Sequence, residues 1–491
     1  MKTASRAVSS ETQGHVARLF GRDAAYLVLW ATQLLCAALF TPALTRVLGV
    51  TQFGTVTTAN ATMQVIFIVA GFGLQTAAQR EYAANSNPLG ARRLLGFAIA
   101  GALLVSAAAW LTIGLWSKPM GLTHETRALQ LAVLWAGSSA ITNVSLGLLR
   151  SQDRLAAFCA VSLLQSVLAE ALSLTYAWVG HASAEDFLWG QVIAQLAAVV
   201  LGLCLAPPAM IRAADRKLLE RALRYGLPLV PSVLSTFVLS TSDRLIVQAQ
   251  LGSEAVARYQ IAYNVAAMPM LLLSVLSATW MPRLFGIADD SERHDVLRVS
   301  RDALYRLMVP VIVGFACGAP LVLRIWAPAQ YRPDQLRVVV SIILITVVPF
   351  AAQLAMSRTL MAQGRTGVIA LATFIGAAAN VALNLWLIPP LGLTGSALAT
   401  LLAYGVLYAV LALGGRGAPI GPPPRKIQAQ LAVATGLALA VTGVAATGPL
   451  LALRGLAGLL AVPWFLRIAV RTGQKPRPAA PVVASGARAD T

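Results

Sequence analysis

Fourteen runs of predominantly apolar residues follow one another along the chain, each about 20 residues long and most of them separated by short polar segments. An α-helix of this length crosses a bilayer, and it satisfies the hydrogen bonds of its own backbone, as lipid requires. The runs lack the alternation of polar and apolar residues that barrel strands show. The sequence therefore predicts an all-α polytopic membrane protein with about 14 transmembrane helices. The predicted spans are 24–45, 55–77, 95–116, 128–149, 157–179, 187–207, 228–250, 259–282, 304–327, 335–360, 366–389, 391–413, 428–447 and 449–470.

The composition favours the same class. Hydrophobic residues make up 57% of the 491 residues and charged residues 12%, whereas soluble globular domains carry about 25% charged residues. This excludes a disordered chain, a coiled coil and most soluble enzymes. Fourteen spans leave room for short loops and two tails, but not for a large soluble domain as well.

The charge is strongly positive, with 38 Lys and Arg against 19 Asp and Glu and a net charge of +19. In a soluble protein this excess would suggest a nucleic-acid partner, but the cytoplasmic loops of membrane proteins are also rich in cations. With the N-terminus in the cytoplasm, 29 of the cations fall on the predicted cytoplasmic side and nine on the other. Topology therefore explains the charge and predicts two cytoplasmic termini and no nucleic-acid partner.

The chain echoes itself at a similar offset in two places. Leu48-Gly49 after the first span matches Leu251-Gly252 after the seventh, and a Gln-x-Arg after the fourth span recurs after the tenth. These matches predict a duplication into two parallel six-helix lobes followed by a C-terminal helix pair. The predicted divisions are a cytoplasmic N-terminal tail at 1–23, an N-lobe at 24–207, a basic cytoplasmic linker at 208–227, a C-lobe at 228–413, a helix pair at 414–470 and a disordered cytoplasmic tail at 471–491.

Motifs for catalysis or ATP hydrolysis do not occur in the sequence. There is no GxxxxGKS/T phosphate-binding loop, no HExxH and no Asp-x-Asp metal motif. The four histidines are scattered through polar segments, and the four cysteines lie in apolar runs, as buried hydrophobes do. We therefore expect neither an enzyme nor a bound cofactor or metal. A duplicated helical bundle without an energy-coupling domain is typical of a secondary transporter, which leaves coupling to H⁺ or Na⁺ open.

Two stretches of the chain carry recognisable motifs. The first has an Arg-x-Leu-Gly, an aromatic-Gly, a Gly-x-Gly at a helix end and a basic–acidic pair; the second has a Tyr-Gly-x-Pro, an Asp-Arg and a Leu-Gly followed by Tyr. Over residues 24–413 the chain resembles Wzx-type flippases of the multidrug/oligosaccharidyl-lipid/polysaccharide (MOP) exporter superfamily. The residues that carry the resemblance are Arg46, Leu48, Gly49, Phe53, Gly54, Gly71, Gly73, Arg80, Glu81, Tyr225, Gly226, Pro228, Pro231, Asp243, Arg244, Leu251, Gly252, Tyr259 and Tyr263.

The resemblance implies a function. Such proteins move undecaprenyl-diphosphate-linked oligosaccharides across the cell inner membrane by alternating access, through a central cavity between two lobes, for O-antigen or exopolysaccharide synthesis. A polysaccharide polymerase and a chain-length regulator are the candidate protein partners. Two alternatives stay open: a multidrug exporter of the same fold, and a membrane enzyme or scaffold of envelope polysaccharide assembly. Multidrug exporters of this fold usually carry an acidic residue in the first span. Residues 24–45 contain none, so the sequence favours this alternative less.

Candidate substrate contacts follow from the chemistry of such a lipid. Guanidinium groups bind diphosphates, and amides bind sugar hydroxyls. Snorkelling to the interface is the structural alternative for each arginine, and an inter-helix hydrogen bond is the alternative for each amide. The arginine candidates are Arg46, Arg80, Arg244 and Arg258. The amide candidates are Gln33, Asn60, Gln64, Gln191, Gln195, Asn264, Gln353, Asn380 and Asn384.

Two acidic residues are candidates for ion coupling, Glu170 and Asp243. Glu170 lies deep within the predicted span 157–179, while Asp243 precedes Arg244 and can pair with it. A carboxylate inside a span must be protonated, paired or exposed to water. The sequence leaves two roles open for Glu170, a structural hydrogen bond or ion pair and the coupling of transport to a proton or cation.

Overall fold

The computed structural model describes residues 29, 32–33, 36, 39–122, 125–274, 290–416, 421–442 and 448–473. Regular structure within these ranges is helical throughout, which confirms the all-α class. Residues 39–47 form a helical stretch ahead of the labelled helices. The main helices are α1 Val50–Gly71, α2 Leu74–Ala83, α3 Pro88–Leu111, α4 Thr126–Ser151, α5 Leu155–Leu163, α6 Ala169–Val179, α7 Ala184–Leu205, α8 Arg216–Gly226, α9 Leu229–Thr241, α10 Asp243–Leu251, α11 Ser253–Ala266, α12 Asp290–Trp326, α13 Arg337–Ile345, α14 Val347–Ala362, α15 Thr366–Leu391, α16 Leu393–Gly414, α17 Arg425–Thr442 and α18 Gly448–Gly473.

Eleven helical stretches of the described residues are long and apolar enough to cross a membrane, so the chain is a multi-pass membrane protein. Each of the eleven overlaps one predicted span. Of the other three predicted spans, half of 24–45 lies outside the described residues and 259–282 runs beyond them. The span 428–447 corresponds to α17, which is not among the eleven. The count of fourteen therefore stays a prediction.

Several predicted spans have different bounds in the structure, and 304–327 and 228–250 are two of them. Helix α12 has 37 residues and begins at Asp290, well before the predicted start at residue 304. Its first turns are polar, so a search for apolar residues detects only the part suited to lipid. The predicted span 228–250 is divided at Ser242 into α9 and α10. Ser242 and the charged pair after it interrupt the apolar run at the same place.

The largest buried cluster joins the two halves of the chain. Leu48, two residues before α1, and Phe53 of α1 pack with Tyr259 of α11 and with Tyr331. The rings of Phe53 and Tyr331 meet edge to face at 6.1 Å. Helix α1 approaches α11 so closely that a Cβ on Gly54 would lie 1.9 Å from the Ser253 carbonyl oxygen. Small residues permit this approach, as they do between membrane helices generally.

Contacts between loops define one end of the bundle, which we call the basic end. Arg93 forms an ion pair with Asp215 at 2.8 Å. Arg154 donates to the Leu205 carbonyl oxygen at 2.5 Å. These contacts bring together segments 80–93, 150–154 and 205–226, whose cations all belong to the predicted cytoplasmic set.

The loops predicted on the other side meet at the opposite end. Arg46 donates through Nη2 to the Ile325 carbonyl oxygen at 2.8 Å. The Gln52 side chain accepts from the Ala184 amide at 2.7 Å, at the start of α7. The grouping of these loops is the one expected from the cation count. That the basic end faces the cytoplasm stays a prediction, as do the division into lobes and its boundaries.

Candidate functional site

A buried ion pair lies at the break between α9 and α10. The turn at Ser242 places Asp243 and Arg244 at the start of α10, where they are 1% and 3% exposed. Arg244 Nη1 lies 2.6 Å from Asp243 Oδ1. The Tyr259 hydroxyl, on α11, donates to the other carboxylate oxygen at 2.7 Å. Both oxygens of Asp243 therefore have strong hydrogen-bond donors.

The guanidinium group of Arg244 has further contacts besides the ion pair. Its Nε donates to Gln260 Oε1 at 2.9 Å, and its Nη1 donates to the Ser240 carbonyl oxygen at 2.5 Å. Its Cζ atom lies 3.9 Å from the ring centroid of Tyr263, a cation–π distance. Gln260 in turn donates to Asn264 Oδ1 at 2.6 Å. The charge of Arg244 is compensated by a carboxylate and held by fixed partners.

Two asparagines one turn apart on α15 form a second group of buried hydrogen bonds. Ser396, on α16, donates to Asn384 Oδ1 at 2.8 Å, and Asn384 donates to the Asn380 carbonyl oxygen at 2.9 Å. All three side chains are fully buried. Ser396 also lies within hydrogen-bonding range of Tyr259, which links this group to the ion pair. We call the linked set the C-half polar cluster; its members are Ser240, Asp243, Arg244, Tyr259, Gln260, Tyr263, Asn264, Asn380, Asn384 and Ser396.

Glu170 occupies a different setting in the N-terminal half. A π-helical turn, Leu164–Leu168, separates α5 from α6 and precedes Glu170 by one residue. Just before this turn, the Ser162 carbonyl oxygen accepts from Ser166 Oγ at 2.6 Å and from Gln33 Nε2 at 3.2 Å. A π-turn disturbs the regular backbone ladder, and such turns occur frequently at functional sites.

The partner of Glu170 is an amide. Its half-buried carboxylate is hydrogen-bonded to Gln191 of α7. Within the described ranges no Lys, Arg or His forms an ion pair with Glu170. One turn further along α7, Gln195 donates to Thr142 Oγ1 of α4 at 2.9 Å. Gln195 therefore makes the inter-helix hydrogen bond that was the structural alternative for the amides.

The remaining candidate arginines do not converge on one site. Arg46 is exposed at the end opposite to the basic end. Arg258 is hydrogen-bonded to Glu254 at 3.3 Å. Arg80 is exposed at the basic end, where its Cζ atom lies 4.5 Å from the ring centroid of Tyr225.

The other candidate amides are half-buried and lie apart from the C-half polar cluster in the chain. Asn60 and Gln64 are one turn apart on α1, and Gln353 accepts from Ser357 Oγ on α14 at 3.5 Å. The residues missed by sequence reasoning are Gln260, Ser240 and Ser396, which complete the C-half polar cluster. Gln260 follows Tyr259 of the motif directly, and that adjacency was the available signal.

The apolar helical stretches of the described residues define the chain as a multi-pass membrane protein. The sequence profile described as "Polysaccharide biosynthesis protein" matches residues 43–335. This match covers more than half of the chain, and the chain belongs to that family.

Two relatives come from the archaeon Haloferax volcanii. The chain is 26% identical to "Probable flippase AglR" over 321 residues, which are 62% of this chain and 65% of AglR. It is 24% identical to "Probable low-salt glycan biosynthesis flippase Agl15" over 184 residues, which are 36% of this chain and 38% of Agl15. The chain thus matches less than two thirds of the length of either. Both are named flippases, a class of transporter rather than of enzyme.

Solved structures show the fold. The lipid II flippase MurJ, in an inward closed conformation, superposes with a TM-score of 0.69 and 14% identity, over 90% of this chain and 98% of MurJ. An inward-facing multidrug resistance MATE family transporter of the MOP superfamily superposes with a TM-score of 0.62 and 17% identity, over 81% of this chain and 95% of that chain. The expected resemblance to flippases of polysaccharide synthesis is confirmed by the family match and by the names of the two relatives, and these solved structures share the fold of the chain.

Proposed function

We propose that this protein is a flippase that moves an oligosaccharide linked to undecaprenyl diphosphate from the cytoplasmic to the outer leaflet of the cell inner membrane. The observation that carries the proposal is the family match over residues 43–335. Both relatives are named flippases, and the name of Agl15 refers to glycan biosynthesis, which supports a glycan-bearing lipid as the substrate class. The product would serve the synthesis of O-antigen or exopolysaccharide, with a polymerase and a chain-length regulator as partners.

The physical problem for such a protein is the polar head of its substrate. The lipid tail can stay in the bilayer, while the sugars and the diphosphate need a polar path between the lobes by alternating access. We assign the half-buried amides Asn60, Gln64 and Gln353 to the sugar hydroxyls, because their side chains are not enclosed by the C-half polar cluster. Arg80 is the arginine that we assign to the diphosphate, since it is exposed at the proposed cytoplasmic end.

The members of the C-half polar cluster receive a structural role in this proposal. Arg244, Asn264 and Asn384 are already bonded to protein partners, so a substrate would have to displace those partners. Asp243 is likewise paired with a cation. Glu170 has an amide for its partner and is the residue that we propose for ion coupling.

A clean deletion of the encoding gene tests the function. In a host without a second flippase, surface polysaccharide should disappear and lipid-linked repeat units should accumulate on the cytoplasmic leaflet, with recovery when the wild-type chain is supplied. Drug susceptibility should stay unchanged. Normal surface polymer in the deletion strain would contradict the proposal, and altered drug susceptibility alone would favour the multidrug reading.

A further inference from the structure

A cavity of about 400 Å³ opens at the basic end between α2 and the linker helix α8. This volume falls within the range of small-molecule sites, which is about 300–1,000 Å³. The cavity, which we call the linker cavity, has a polar side formed by Arg80, Arg221, Arg224, Tyr225, Glu81 and Asn85. The three arginines and Tyr225 are exposed, so the cavity is open to solvent.

The charge of the linker cavity is positive and available. Three arginines line it against one glutamate. That glutamate is occupied, because Glu81 accepts from Asn85 Nδ2 at 2.6 Å and from Asn87 Nδ2 at 2.7 Å. None of the three arginines forms an ion pair within the described part of the chain. Their guanidinium forks match the geometry of phosphate oxygens.

The rim of the cavity is ordered by the same contacts. Asn87 accepts from the Gly90 amide at 2.9 Å and caps the start of α3. Because Glu81 holds both Asn85 and Asn87, the turn between α2 and α3 is tied to the helix that carries Arg80. On the facing wall, the Tyr225 ring supports Arg80 at 4.5 Å. A supported guanidinium loses less side-chain freedom when it binds an anion.

The wall formed by α8 is held against the N-terminal half by a contact between two glycines. A Cβ on Gly73 would lie 2.3 Å from the Gly226 carbonyl oxygen, and one on Gly226 would lie 2.8 Å from the Phe72 carbonyl oxygen. Gly73 belongs to the Gly-x-Gly motif and Gly226 to the Tyr-Gly-x-Pro motif. Arg80 and Tyr225 belong to the same two stretches. Two motifs that are distant in the sequence therefore build one cavity.

The position of α8 suits the head-group level of a membrane. Leu218 and Ala222 are buried on its inner face, while its cations are exposed. After Gly226 the chain continues almost directly into α9, the apolar part of the candidate span Arg216–Thr241. Cations at this level attract anionic lipid head groups.

We propose that the linker cavity captures the diphosphate of the lipid-linked substrate at the cytoplasmic surface, before the head group passes between the lobes. This inference rests on the proposed flippase function. The chemistry that the cavity recognises is the phosphate of a lipid head group, which a polyprenyl diphosphate and an anionic phospholipid share. We assign it to the diphosphate because three arginines line one cavity and can contact both phosphates together.

The test is equilibrium binding of farnesyl diphosphate to the purified full chain in phosphatidylcholine nanodiscs. The double variant Arg221→Gln, Arg224→Gln should bind at least tenfold more weakly than the wild type, and Arg80→Gln should also weaken binding. The matched control is Arg216→Gln, Lys217→Gln, which removes the same charge from exposed positions of α8 that do not line the cavity. We expect less than a twofold change for this control. Thermal unfolding should show that both doubles are folded.

Equal weakening by the two doubles would mean that the diffuse charge of α8 binds the probe, and it would overturn the proposal. Nanodiscs that contain phosphatidylglycerol separate the two sources of phosphate. In those nanodiscs, the wild type and the control should lose affinity for farnesyl diphosphate by the same factor. Both should still bind it at least tenfold more tightly than the Arg221→Gln, Arg224→Gln variant. If this tenfold difference in affinity disappears, the cavity binds phospholipid head groups instead. This assay measures binding and not transport, so the two proposals can fail separately. A wild-type protein that binds the probe but does not flip the lipid contradicts only the proposed flippase function. A protein that flips the lipid but shows no difference in binding between the two double variants contradicts only the proposed role of the cavity.

Discussion

The two halves of the molecule each place one acidic residue inside the helical bundle, and the surroundings of the two differ. Asp243 lies 2.6 Å from the guanidinium of Arg244 and accepts from the Tyr259 hydroxyl at 2.7 Å. Glu170 follows a π-helical turn and is bonded to the amide of Gln191. A paired carboxylate can stay ionised in a dry interior, whereas one without a cation is costly when ionised. On this basis we propose that Asp243 stabilises the fold and that Glu170 couples transport to an ion.

The largest effect is expected from Asp243→Ala. It leaves the charge of Arg244 buried without its carboxylate, and breaking a buried pair in this way costs about 3–5 kcal/mol. The yield of folded protein and its thermal unfolding midpoint in detergent should both fall sharply. The double variant Asp243→Ala, Arg244→Met removes both charges and should recover part of the loss. If Asp243→Ala is as stable as the wild type, Asp243 does not have the proposed structural role.

The junction between the halves provides the next test. Gly73 has a φ of +66°, and a Cβ there would meet the Gly226 carbonyl oxygen at 2.3 Å. Gly73→Ala should therefore destabilise the protein by about 1–2 kcal/mol through its backbone alone, with the clash adding to this. Gly71→Ala is the control within the same motif, because a Cβ at Gly71 meets nothing within 4 Å. Thermal unfolding of the two variants should differ clearly; equal values would argue against this contact.

Glu170→Gln is predicted to act on transport rather than on folding. Glutamine keeps the shape and a hydrogen bond to Gln191 but cannot take up or release a proton. The variant should express normally and flip substrate at least tenfold more slowly, without the wild-type dependence on pH or sodium. Wild-type transport with intact ion dependence would eliminate the coupling role. In that case Glu170→Ala should lower expression, as a structural residue would.

The smallest effect is expected from Thr142→Val, which removes one inter-helix hydrogen bond of the N-terminal half. Gln195 loses its partner on α4, and bonds of this kind contribute about 0.6–1 kcal/mol between membrane helices. The control is Ser145→Ala, since that hydroxyl donates to the Ile141 carbonyl oxygen within its own helix. Chemical or thermal unfolding should show a modest loss for the first and less for the second. A loss of stability as large as that of Asp243→Ala would contradict the expectation that the buried ion pair contributes more to stability than this hydrogen bond.

The spans could be predicted from the sequence because lipid imposes a fixed length of apolar helix. The grouping of loops at two ends followed from the cations for a similar reason. The polar extension of α12 could not be read in this way, because residues 290–303 do not carry the apolar signal. Hydropathy reports the lipid-facing part of a helix and not the helix itself.

The contacts of the candidate sites also differ in how far the sequence predicts them. Asp243 and Arg244 are neighbours in the sequence, so their pairing could be anticipated. Tyr259 reaches Asp243 from α11 because α10 and α11 pack together, which no local pattern states. The contact of Arg80 with Tyr225 joins a helix of the N-terminal half to the linker helix. The two motifs were recognised separately, and their meeting appears only in three dimensions.

The most direct test of the proposed function is transport by the purified chain in proteoliposomes. A fluorescent oligosaccharide linked to undecaprenyl diphosphate would be placed in the membrane, and its transfer between leaflets followed with an impermeant quencher. The wild type should move the lipid between leaflets faster than protein-free vesicles, and an imposed proton or sodium gradient should change the rate. Glu170→Gln should flip at least tenfold more slowly and not respond to the gradient. No transfer above that of protein-free vesicles, from wild-type protein shown to be folded and inserted, would contradict the flippase assignment.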